Sequence, residues 1–177
     1  LESALDDLND IGVQAIEFRF LDFIPWEKLR KILDRYSKSR IRCFFVFMKY
    51  HEEIKFDEVY ELYSSIKRTN KIVIHSFDRE KKGFFEAFIP NTLKNKIIVK
   101  EKKLKKGMEG HKRKEFFPIN VKTFFEARNY SLGLNRKLSI DSDGNVKNFL
   151  SHNRSFGSVR DNDIVDIVKS KSFREKW

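Results

Sequence analysis

The feature that most restricts what this chain can fold into is the alternation of strand and helix patterns over its first seventy-five residues, with very short connections. Ser3-Ala4-Leu5-Asp6-Asp7-Leu8-Asn9 reads as a short helix with Ser3 as N-cap, and Gly12 breaks it. Val13 to Phe20 has the two-residue period of a strand: Val13, Ala15, Glu17 and Arg19 alternate with Gln14, Ile16, Phe18 and Phe20. From 25 to 37, Trp26, Leu29, Ile32, Leu33 and Tyr36 recur at helical spacing, and Pro25 suits the first turn. Arg42 to Met48 is a Phe- and Val-rich run that reads as a buried strand. Asp57 to Lys67 reads as a third helix and Lys71 to His75 as a third strand. Strand–helix–strand–helix–strand at this spacing implies parallel strands and right-handed crossovers. The fold class is therefore α/β. Three strands do not close a barrel, which leaves half of a larger α/β barrel or a small open sheet.

After Ser76 the rhythm changes. Phe84-Phe85-Glu86-Ala87-Phe88-Ile89 and Lys96-Ile97-Ile98-Val99-Lys100 are short strand candidates, and residues 120–128 a short helix with Phe124 and Phe125 facing inward. A boundary near 104 divides the chain into 1–104 and 105–177. In the second part, Lys137-Leu138-Ser139-Ile140 and Val146-Lys147-Asn148-Phe149-Leu150 flank Asp141-Ser142-Asp143-Gly144-Asn145, a β-hairpin with a Gly-containing turn. Asp161 caps a last helix whose apolar face is Ile164, Val165, Ile167 and Val168. Phe173 and Trp177 pack that helix back onto the hairpin.

Composition narrows the function classes. Hydrophobic residues make up 40% of 177 residues and 18 are Phe, so a packed core is available. The single cysteine, Cys43, excludes an intramolecular disulfide and fits a reducing, cytoplasmic setting. It sits in Ile41-Arg42-Cys43-Phe44-Phe45-Val46-Phe47 and reads as a small buried hydrophobe. No apolar run approaches the roughly 18 residues that span a bilayer, so no membrane partner is expected. The formal net charge of +11 favours an acidic partner, whether nucleic acid, anionic lipid or an acidic peptide, without choosing among them.

Few residues carry a chemical signal. Asp141 to Asn145 resembles the start of a calcium loop, but the twelfth position is His152 rather than glutamate, and the flanks are strands. His51, His75, His111 and His152 include no pair three or four residues apart, so no helix-borne metal pair exists. No Gly-rich phosphate loop or nucleophile elbow is present. His75 ends a strand, and Arg19 and Asp22 flank the end of another, all on the rim where α/β barrels place their chemistry. Arg19 and Asp22 either contact a ligand or form a surface ion pair. The densest basic run lies between Lys94 and Lys114; it either tracks phosphates or is a solvated loop, and no aromatic residue interleaves it.

Residues 107–177 resemble the SPASM-type radical S-adenosylmethionine maturases of the grasp-with-spasm peptide systems. The resemblance rests on Phe117-Pro118-Ile119-Asn120, Phe125-Glu126, Leu134-Asn135-Arg136-Lys137, Ile140-Asp141, Gly144, Val146-Lys147-Asn148, Ser151, Ser155-Phe156-Gly157 and Phe173 through Trp177. Where the family pattern places cluster cysteines, this chain has Glu109 before Gly110, Gly133 before Leu134, Ser139, and Phe149-Leu150-Ser151 after Asn148. An iron–sulfur cluster needs three or four thiolates, so no cofactor is expected in this chain. A cluster and S-adenosylmethionine enter only if an upstream segment supplies them. The first seventy-five residues fit the second half of a partial radical-SAM barrel.

The resemblance implies a degenerate, cysteine-less member: a partial parallel βα region followed by a SPASM-like hairpin-plus-helix module. Its expected role is non-catalytic, recognising a precursor peptide or docking on an active maturase. Exposed strand edges would also favour a homo-oligomer. The rivals are the C-terminal part of an active maturase whose catalytic cluster lies upstream, and a basic nucleic-acid-binding module. The residues expected to contact a peptide are Arg19, Asp22 and His75, with Asn135, Arg136 and Lys137 carried over from the family motif.

Overall fold

The computed structural model describes residues 2–106, 121–131, 134–175 and 177. The parts of the basic run and of the family pattern at 107–120, with Gly133, lie outside the described residues. The chain forms two compact units. One comprises Glu2 and Leu8–Lys106; the other takes in Ser3–Asp7 and the described residues of 121–177.

The first unit is built on four parallel strands, β1 (Ala15–Arg19), β2 (Cys43–Lys49), β3 (Thr69–His75) and β4 (Ile97–Val99), in the order β1-β2-β3-β4. Helix α1 (Glu2–Asp10) precedes β1, and α2 (Trp26–Arg35), α3 (Phe56–Ser65) and α4 (Arg79–Ala87) lie between successive strands. Sequential order with right-handed crossovers puts α2, α3 and α4 on one side of the sheet. The register aligns Ile16 with Phe44, Phe18 with Val46, Val46 with Ile72, Met48 with Ile74, and Ile74 with Val99. All of these are buried, as are Leu29, Ile32 and Leu33 of α2, Val59 and Leu62 of α3, and Phe85 of α4. Those helices therefore cover this face, and the core lies between the two layers. The helix ends are held locally. Glu58 accepts from the Lys55 backbone N–H at 3.1 Å, and Asp78 caps α4 by accepting from Lys81 N–H at 2.8 Å. Arg68 donates to the Ser39 and Ile41 carbonyls at 2.5 and 2.6 Å, tying the α2–β2 connection to the start of β3.

Several expectations are corrected here. Phe84 to Ile89 is not a strand; 79–87 is helical. Phe85 and Ile89, four apart, are buried, whereas Phe84 and Phe88, also four apart, are exposed. Five apolar residues within six hid a helical period, and the Asp78 cap decides for the helix. Ser3 is not an N-cap, because α1 already includes Glu2. Pro25 stands at the cap position of α2 rather than inside its first turn. Cys43 is only half-buried, on the alternate face of β2.

The second unit contains α5 (Val121–Asn129), the antiparallel pair β5 (Ser139–Ile140) and β6 (Val146–Lys147), α6 (Ile164–Lys169) and α7 (Lys171–Arg174). Val146, Ile167 and Phe173 form its core, with Leu138, Ile140, Phe156, Val159, Val168 and Trp177 packed against them. The hairpin and the packing of Phe173 and Trp177 agree with the sequence reading. Asp163, not Asp161, caps the helix, accepting from Val165 N–H at 2.7 Å. Asp161 instead lies in the turn before it, its N–H bonded to the Ser158 carbonyl. Phe124 and Phe125 are 61% and 56% exposed rather than inward-facing.

Candidate functional site

In open parallel sheets ligands bind beyond the carboxyl ends of the strands. Here those ends are Arg19, Lys49, His75 and Val99. On the sheet face turned away from α2, α3 and α4, the register sets Glu17 beside Phe45 and Phe45 beside Lys71. One step further, Arg19, Phe47, Val73 and Ile98 form a row, and Lys49 neighbours His75. Unlike the opposite face, this one mixes charge with aromatic surface. Phe45, Phe47, Lys49, Lys71 and Ile98 are half-buried, and Ala15 and Glu17 are exposed.

Arg19 donates to the Glu17 carboxylate, and its guanidinium lies 5.7 Å from the centre of the Phe47 ring, within cation–π range. Asp22 is paired with the Lys49 ammonium at 3.6 Å, and its side chain is 91% exposed. Just beyond the strands, Phe23 stacks on His51 with centroids 4.3 Å apart, and Tyr50 on Phe77 at 4.0 Å. Lys81 reaches Glu52 at 2.6 Å.

His75 is buried, and both ring nitrogens are engaged. Nε2 lies 3.0 Å from the Phe20 carbonyl, which can only accept, so Nε2 carries the hydrogen. Nδ1 of the neutral ring is then the acceptor for the Ser76 hydroxyl at 2.9 Å. Burial pushes the His75 pKa below its ordinary value. The Phe20 bond opposes that shift, and the Lys49 and Lys103 charges reinforce it. Ser76 itself has φ of 68°, a left-handed conformation that costs a non-glycine residue about 1–2 kcal/mol. At this rim a neutral histidine links the residue after β1 to the end of β3, with Lys49 and Lys103 as nearby cations.

The remaining expected site residues fall in the second unit, so the six form two groups. Asn135 is buried and donates to Glu126 at 2.6 Å, which makes it a strut between α5 and the segment before β5. Arg136 and Lys137 are exposed, and Arg136 has φ of 56°. The hairpin landmarks of the family pattern carry the local fold. Asp141 Oδ1 accepts from the N–H groups of Asp143 and Asn145 at 3.0 and 2.9 Å, and Oδ2 meets Lys147 Nζ at 2.9 Å. Burial opposes ionisation of Asp141, but Lys147 and Asn145, with the Asp143 N–H, outweigh it and lower the pKa to about 2. These bonds make 141–145 a turn. Gly144 and Gly157 have φ of 88° and 142°, and Asn148 donates to the Phe173 carbonyl at 3.2 Å.

The donor set does not fit an iron–sulfur cluster. The hairpin unit has no cysteine, and the one thiol, Cys43, lies in the other unit with its pKa raised by desolvation. Among the described residues, no three His, Cys, Asp or Glu side chains group as a metal site, and no helix is long and apolar enough to cross a membrane.

Sequence reasoning missed Glu17, Phe47, Lys49, Ser76 and Lys103. The available signal was Lys49, which follows Met48 on the same alternation as Phe45 and Phe47 and marks that set as the less buried face of β2. The fold and this rim define an α/β protein with a parallel sheet and a basic, aromatic edge at the carboxyl ends of its strands. No family model, curated protein or solved structure matches the chain.

Proposed function

We propose that this chain is a non-catalytic peptide-recognition protein, a degenerate relative of the radical-SAM/SPASM peptide maturases, and that its ligand is an acidic precursor peptide. The observation that carries the reading is the mixed face at the strand ends: Arg19 over Phe47, Lys49 beside His75, and Lys103 close by. An extended peptide needs apolar surface for its side chains and fixed opposite charge for its carboxylates, and electrostatic complementarity sets its orientation. The SPASM-like assignment rests on the hairpin landmarks and on the absence of their thiolates. In this reading, Asn135 fixes the hairpin unit, and Arg136 and Lys137 offer it a second cationic contact.

The test is fluorescence anisotropy with a labelled acidic, aromatic-containing peptide. Lys49→Ala and Lys103→Ala should each raise Kd severalfold and flatten its salt dependence. Equal affinity of the variants would refute the site. Tighter, salt-sensitive binding of single-stranded RNA would refute the peptide and favour a nucleic-acid module. Anaerobic reconstitution that loads a cluster on this chain would overturn the non-catalytic reading.

A further inference from the structure

The large hydrophobic residues that the first unit leaves exposed, among the described ones, fall in a single place. They are Tyr60 on α3 and Phe84 and Phe88 on α4, at 46%, 71% and 53% exposure. Phe56 joins them into one ladder of rings. Tyr60 to Phe56 is 6.3 Å between centroids, Phe56 to Phe88 6.5 Å, and Phe88 to Phe84 5.0 Å. This surface lies on α3 and α4 of the helical layer. At roughly 200 Å² per aromatic side chain, its three exposed rings present roughly 340 Å² of apolar area.

We propose that this ladder is a self-association surface, on which a second copy of the chain packs α4 antiparallel against α4 across a two-fold axis. Phe84 and Phe88 are four residues apart, so they share a helix face, and the two-fold sets Phe84 of each copy against Phe88 of the other. Charge fits the same arrangement. Glu80, exposed on the first turn of α4, has no ion-pair partner among the described residues, and neither has exposed Lys94 beyond the C-terminal end of α4. Antiparallel packing brings the Glu80 end of each α4 toward the Lys94 end of the other. The area sets the strength: an apolar centre of roughly 340 Å² per copy is less than half of the roughly 800 Å² per partner of a standard stable interface. The dimer is therefore weak and concentration-dependent.

Sedimentation equilibrium of the full chain over micromolar to millimolar concentration tests it. The expected result is a monomer–dimer equilibrium in the micromolar-to-millimolar range that Phe84→Glu abolishes while circular dichroism and the thermal midpoint stay unchanged. These positions are exposed, so the variant folds. Glu80→Lys and Lys94→Glu should each weaken the dimer, and the double reversal should restore it. A monomer throughout the range overturns the proposal and leaves the ladder to a different protein. A dimer that survives Phe84→Glu also overturns it, because association then uses another face.

Discussion

Asp141→Asn isolates a charge inside the hairpin turn. The carboxylate holds two backbone N–H groups and the Lys147 ammonium, and its side chain is only 8% exposed. Its pKa falls from 3.8 to about 2 despite burial. A folded-state pKa below the unfolded one means that the unfolded chain takes up the proton first as pH falls. The stabilisation is therefore complete well above 3.8 and is lost as pH falls through about 2. At about 1.4 kcal/mol per unit, the shift contributes on the order of 2 kcal/mol at neutral pH, and roughly half of that is gone by pH 3. Asparagine keeps an oxygen for the two N–H groups but removes the charge opposite Lys147. The variant should thus be about 1–2 kcal/mol less stable at pH 7, with the difference about halved at pH 3. The chain has two tryptophans, Trp26 in the sheet unit and Trp177 against Phe173 in the hairpin unit. Urea titrations in a Trp26→Phe background, followed by Trp177 fluorescence, read the hairpin unit. A deficit of equal size at pH 7 and pH 3 would refute the argument, because the ionised carboxylate would then not be the source.

Two further predictions concern packing and titration. A methyl group on Gly157 would stand 2.7 Å from Asn162 Oδ1 and 2.9 Å from Ile167 Cδ1 on a backbone with φ of 142°. Gly157→Ala should cost about 1–3 kcal/mol in the same fluorescence assay, and an unchanged midpoint would show that the loop yields freely. His75 is depressed by burial, so its neutral form is the folded one. Stability of the sheet unit should be fully present above pH 6.5 and decline as pH falls from there through the folded value. Trp26 fluorescence in urea, compared with His75→Gln, should show a gap between the proteins that narrows from pH 8 to pH 5, and a gap independent of pH would contradict it.

What could be read ahead of the structure followed from period and spacing. Ile16 and Phe18 at two, Leu29, Ile32 and Leu33 at three to four, and the short joins between them already imply parallel strands with helical crossovers. The hairpin was equally legible, because Asp141-Ser142-Asp143-Gly144-Asn145 supplies a left-handed glycine and a side chain that bonds its own backbone. Phe84 to Ile89 was not, since a dense aromatic cluster satisfies both periods and only the Asp78 cap and burial of Phe85 against Phe56 and Phe77 separate them. Phe124 and Phe125 misled for the same reason: hydrophobicity states a preference for burial, and the surface that grants it belongs to other segments.

The candidate site divides along the same line. The sequence determined that His75, Arg19 and Asp22 end up near strand ends, since strand termini follow from local pattern. It also determined that the chain offers a single thiol, Cys43, since that is composition. The tertiary structure alone decided that Asp22 pairs with Lys49, that Arg19 covers Phe47, and that His75 is held by Phe20, fifty-five residues away. Those choices depend on the register between parallel strands joined through helices. Register is fixed by long-range packing of the buried face, and no window of neighbouring residues encodes it.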